Sequence, residues 1–300
     1  MFPKTVTELR RSYGRAGTAL LINTLVVQLT AIIAYLVIRA QGVDLNENQV
    51  GMELLNVGLV FPVGFVVFRM VLGRNPTPKL AKAPAPAPGE VLCTFAASVG
   101  LLYVGSLATQ TLLSGTDTHD YANEMVSEEP LWAALVFTVT LAPIIEEVLF
   151  RRLLLDRLLY LGDWSALLIS SLFFGLFHTN LYQFLYAVLV GMVLGYVRIM
   201  TGQMRWNILL HSALNLLCGV LPGYLPEEGP VTTAVDAAVV ACMIYVPVYL
   251  VTRRPWRQLY PGPMDWFTAR DKVRACLTSP GFLVCVAAHL GLSVWLIQVG

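Results

Sequence analysis

Five polar side chains stand in stretches of sequence that are otherwise apolar. They are Glu146 and Glu147 in APIIEEVLFRR, His178 in SLFFGLFH, and His211 and Asn215 in WNILLHSALN. Carboxylates and imidazoles are the side chains that most often take up and release protons in hydrolytic chemistry. They also cost free energy wherever water is excluded, so their presence in apolar surroundings points to function by default. Spacing separates the two glutamates. Glu147 and Arg151 are four residues apart with the acid first, the favourable order for a helical ion pair, which gives Glu147 and Arg151 a structural role. Glu146 projects about 100° further round the helix and is free to face His178 and His211. His211 and Asn215 share one helix face, and Phe174 lies one turn before His178. Taken singly, each histidine also has a packing reading, and His119 and His289 are assigned to that class.

The elements that must hold these groups follow from composition. Only 13% of the 300 residues are charged, and the mean hydropathy is +0.66. A soluble domain carries about 25% charge, so the chain has too little to cover a soluble surface. No basic patch suggests a nucleic-acid partner, and the five cysteines show no CxxC spacing for a disulfide frame or zinc knuckle. The partner is instead the lipid bilayer. Apolar runs near 17–40, 52–73, 91–114, 130–150, 164–180, 181–200, 205–221, 231–251 and 281–299 predict an all-α polytopic membrane protein of eight to nine transmembrane helices. The first run exceeds the length of a cleavable signal core and reads as an uncleaved anchor. Threading the runs alternately with the N-terminus in the cytoplasm puts every Lys and Arg except Arg39 on one side, the bias of the positive-inside rule. That predicts a multi-pass protein of the plasma membrane.

Four regions result: a two-helix segment over 1–73, a Pro/Ala-rich cytoplasmic linker over 74–90, a core over 91–251, and a basic segment with a last helix over 252–300. Within the core, the turn signal Leu161-Gly162-Asp163 makes 130–160 and 164–178 an antiparallel pair. Glu146 and His178 then lie level, each 16 residues from Gly162. The charged stretch 151–163 is expected to protrude into the cytoplasm, which leaves Glu146 roughly 8 Å and His211 roughly 9 Å inside the membrane by helical rise. The outer halves of these helices read as apolar.

Glu-Glu-x-x-x-Arg at 146–151, Phe-x-x-x-His at 174–178 and His-x-x-x-Asn at 211–215, in that order on successive helices, resemble the CAAX-protease and bacteriocin-processing family of intramembrane endopeptidases. The resemblance implies a cavity reached from the cytoplasmic side, where a peptide or membrane-tethered protein is cut. Glu146 and His178 would activate water, and His211 and Asn215 would stabilise the oxyanion. It also leaves a metal in play. Glu146, His178 and His211 include ligand types suited to zinc, although the H-E-x-x-H helix face is missing, which favours a route requiring no cofactor. Two other classes stay open. A non-catalytic scaffold or immunity protein would use the fold alone, and a transporter would need polar residues through the full membrane depth.

Overall fold

The computed structural model of the chain describes residues 3–43, 45, 48–73, 80, 83–114, 130–226, 228–262, 264 and 266–299. Among them are helices and turns and no strand. The helices are α1 (Val6–Ala40), α2 (Val50–Leu72), α3 (Pro88–Leu113), α4 (Leu131–Leu161), α5 (Asp163–Phe177), α6 (Leu181–Thr201), α7 (Met204–Leu214), α8 (Pro230–Arg253), α9 (Ala269–Leu277) and α10 (Pro280–Val299). Every apolar run of the sequence falls on a helix. Six described helices (α1–α4, α6 and α8) are long and apolar enough to cross a bilayer. A seventh crossing arises if α9 and α10, bent by 61°, act as one. The expected eight to nine therefore shrinks to six or seven, because α5 has 15 residues and α7 has 11 before its ladder loosens into a π-turn. The acidic loop 115–129 and residues 74–79, 81 and 82 of the linker lie outside the described residues.

The basic ends of the helices are tied to one another. Ala83 N–H donates to the Thr201 carbonyl, Gln203 to the Ala83 carbonyl, and Lys272 to the carbonyls of Leu161 and Pro261. Asp163 and Tyr260 exchange hydrogen bonds across the α4–α5 turn. Gly162 makes that turn at φ +100°, and a Cβ there would sit 2.1 Å from the Pro261 carbonyl oxygen, so only glycine fits. We call this end of the bundle the basic face; Arg39 stands at the other end.

Two apolar clusters form the core. The larger joins the first half of α1, the end of α2, α4 from Leu149 to Leu161, α5 and α10; the smaller lies between α3, α6 and α7. The second half of α1 leaves Leu25, Leu29, Ile32 and Ile33 more than half exposed, an apolar surface suited to lipid. Gly191 and Gly195 of α6 let α5 approach closely, with Cβ positions 3.2 Å from Ser171 Cα and 2.5 Å from Leu167 Cδ1. The segment 151–161 is not a protrusion. Arg151 and Asp156 point inward, and Asp156 takes a bidentate grip from Arg198 at 3.0 and 2.7 Å. A segment whose charges are paired internally can bury its leucines, and this one does.

Candidate active site

α4 is not a regular helix where it carries the glutamates. π-helical turns cover Phe137–Leu141 and Val148–Leu155, on either side of Ala142–Glu147. Single π-turns inside helices recur at functional sites. Here the sequence gives a reason for the first one. In a π-turn each carbonyl accepts from the residue five ahead, as Phe137 does from Ala142 N–H. Thr138 would look to residue 143, which is proline and has no N–H to give. The amide of Asn215, the residue that follows α7, donates to the Thr138 carbonyl instead, at 2.9 Å. Pro143 thus creates the orphan acceptor that fixes Asn215 against α4.

Behind this point lies a fully buried pair. Arg151 Nε is 3.3 Å from Glu147 Oε2, and both side chains are closed to solvent. Arg151 also reaches the Gly191 carbonyl at 3.4 Å and lies over the Phe174 ring, 4.6 Å from its centroid. The other oxygen of Glu147 accepts from His211 Nδ1 at 3.1 Å. His211 Nε2 then faces Glu146 Oε2 at 3.7 Å. One imidazole therefore stands between the two glutamates, a link that the sequence spacing did not reveal. The same is true of Asp156–Arg198, since nothing in the sequence signals a pairing 42 positions apart.

His178 closes α5. Its Nδ1–H donates to the Phe174 carbonyl at 2.8 Å, which leaves Nε2 as an acceptor in the neutral ring. The Phe174 ring meets His178 and His211 edge-on at 5.0 and 5.7 Å. Thr179, the next residue, has φ +48°, a conformation costly for a β-branched side chain. Asn180 then caps α6 by accepting from Tyr182 N–H. The strained turn lets the chain reverse immediately after the imidazole.

These groups line one cavity of about 220 Å³. Glu146, His178, His211 and Asn215 all face it, with Phe174, Gln183 and Tyr186 among its walls. Glu147 and Arg151 do not; they stand behind His211. The cavity shares Leu102, Tyr186, Leu214, Asn215 and Gly219 with a larger chamber of about 730 Å³, which runs toward the end opposite the basic face. Ser106, Gln110 and Tyr182 line that chamber, so the outer half of the bundle is more polar than expected. Sequence reasoning also missed Gln183 and Tyr186 as cavity walls, because neither has a charge or a motif to mark it. Among the described residues, no group of three or more His, Cys, Asp or Glu side chains is gathered to hold a metal ion. Glu146, His178 and His211 are thus not gathered into such a group as they stand.

Residues 128–217 match the family of type II CAAX prenyl endopeptidases, Rce1-like. It is a peptidase family, and the one that the three motifs resemble. No curated protein and no solved structure matches the chain. The Rce1-like segment runs from the approach to α4 into the π-turn after α7. It contains every residue lining the catalytic-type cavity except Leu102 and Gly219. The helices outside it are α1 to α3 and α8 to α10, of which α1, α2 and α10 contribute to the larger core cluster and α3 to the smaller.

Proposed function

We propose that this chain is an intramembrane endopeptidase that cuts a peptide bond of a membrane-associated protein or peptide, of the prenylated type that the matched family's description names. The observation that carries the reading is the convergence of Glu146, His178, His211 and Asn215 on one cavity beside a larger chamber with room for substrate. Water held between Glu146 and His178 Nε2 gives up a proton to the Glu146 carboxylate, and its oxygen attacks the scissile carbonyl carbon. The oxygen of that carbonyl becomes an oxyanion. Asn215 keeps a second amide hydrogen for it, beyond the one given to Thr138. His211, held at Nδ1 by Glu147, presents Nε2 on the cavity side and donates from it to the oxyanion when both ring nitrogens carry a proton. As the tetrahedral species collapses, Glu146 returns the proton to the departing amine and the C–N bond breaks.

The test is direct. In proteoliposomes with a panel of lipid-modified reporter peptides, Glu146→Gln should lower the hydrolysis rate by about 10²–10⁴ while thermal stability stays near wild type. Wild-type rates in that variant sink the proposal. The arrangement also favours direct glutamate chemistry, so activity should survive exhaustive chelation of the purified protein.

A further inference from the structure

Three helices that reach the basic face deliver guanidinium groups to one patch. Arg15 comes from α1, Arg69 from α2, and Arg152 and Arg157 from α4. Arg15 Nη1 lies over the end of α2, 3.6 Å from where a Cβ on Gly73 would be. Arg157 feels the like charges of Arg69 and Arg152 as well as the opposite charge of Asp156, and neighbouring Tyr160 feels Arg15. Arg15, Arg69 and the Arg152 head are open to solvent, and Arg157 is half-buried. The carboxylate that answers them is Asp156, and it is already committed. Arg198 holds both of its oxygens at 3.0 and 2.7 Å, and Arg152 reaches it at 3.2 Å. Two guanidiniums thus share one carboxylate, while Arg15, Arg69 and Arg157 form no ion pair with a carboxylate among the described residues, and Arg157 donates to the Leu153 carbonyl instead.

Setting the direction of insertion requires positive charge on one side of a membrane, but it does not require like charges from separate helices to converge. Convergence is repulsive unless an anion answers it. The surface beside the patch says which kind. Val66 is 59% and Met70 74% exposed, both within one turn of Arg69 on α2. A strip of open apolar side chains running away from a cluster of guanidiniums matches a molecule with an anionic head and an acyl chain. We propose that this patch binds an acidic glycerophospholipid, its phosphate held by Arg69, Arg157 and Arg15 and one chain lying along Val66 and Met70. The site is separate from the cavity of Glu146, and it does not depend on the peptidase reading. Arginine suits it, since its planar fork pairs with two phosphate oxygens at once.

The experiment uses the full chain in nanodiscs of phosphatidylcholine with graded fractions of phosphatidylglycerol, read by native mass spectrometry of retained lipid and by thermal melting. Wild type should retain phosphatidylglycerol in preference to phosphatidylcholine. Arg69→Gln/Arg157→Gln should weaken that retention about tenfold or more, since each basic residue near the surface contributes appreciably to anionic-lipid binding. Arg257→Gln, on the same face but outside the patch, should leave it unchanged. Equal retention of the two lipids, or an undiminished preference in the double variant, overturns the proposal. Inorganic phosphate at millimolar concentration should neither displace the lipid nor raise the melting temperature. If it does both, the site is one for soluble phosphate and the lipid assignment falls. Should the double variant not be recovered folded, the exposed single changes Arg15→Gln and Arg69→Gln carry the same comparison.

Discussion

His211 stands between two carboxylates that are not equivalent. Glu147 is sealed from solvent and tied to Arg151, while Glu146 keeps an open edge on the cavity. Removing one partner of a buried pair leaves the other charge uncompensated, at a cost of about 3–5 kcal/mol. Glu147→Gln should therefore melt well below wild type, whereas Glu147→Leu with Arg151→Met should recover much of the loss yet stay inactive, because His211 loses its anchor. Differential scanning fluorimetry beside the peptide assay checks both halves, and full activity in the double variant would remove Glu147 from any role at the site. A second prediction concerns Asn215. Asn215→Ala leaves the Thr138 carbonyl unpaired and should cost about 1–3 kcal/mol, less in a Pro143→Ala background, where a backbone N–H is restored. A double-mutant cycle measures the difference. Much of this was legible in the sequence, since a charge in an apolar run is conspicuous and the i, i+4 spacing of Glu147 and Arg151 is local. The contact of Glu147 with His211 was not, because it joins helices 64 positions apart and depends on how α4 and α7 are rotated.

At the scale of elements, the α5–α6 seam sets the place of His178. Gly175 lies three residues before it, and a Cβ there would come within 2.8 Å of the Phe184 carbonyl oxygen and 2.5 Å of Val188 Cγ2. The carbonyl belongs to the α6 backbone and has little room to yield. Gly175→Ala should push the two helices apart, cost about 1–3 kcal/mol, and lower kcat more than that loss explains, because it moves the imbalance directly onto His178. Wild-type kcat with a lowered melting temperature would show that His178 tolerates the shift. The turn at Gly162 was readable from its flanking residues. The number of crossings was not. Apolar length alone cannot distinguish a helix that spans lipid from one such as α5, which is apolar because protein covers it on most sides.

For the whole molecule, the basic face acts as a common floor. α3, α6 and α8 all terminate there, and Lys272 from α9 caps the end of α4 through Leu161. The cavity, by contrast, opens into the chamber on the opposite side. Sorting of charge along the sequence made the floor visible, whereas the chamber joins one face of α3, from Leu102 to Gln110, to residues of α6, α7, the turn after it and α8, a grouping that only the packing of the helices sets. The same contrast gives the π-turns of α4 a meaning beyond local geometry. An α-turn closes over four residues and a π-turn over five, so α4 holds its two halves out of phase. The half bearing Glu146 and Glu147 addresses α7, and the half bearing Asp156 addresses α6. Deleting Leu153 would let an ordinary ladder close and re-aim the side chains within Val148–Leu155, Arg151 among them, against the flanking helix. The protein should still insert and remain helical by circular dichroism, yet have no hydrolytic activity; a deletion variant with normal turnover would mean that the phase of α4 is immaterial. In that sense a single surplus residue lets one continuous rod present two faces, one to α7 and one to α6.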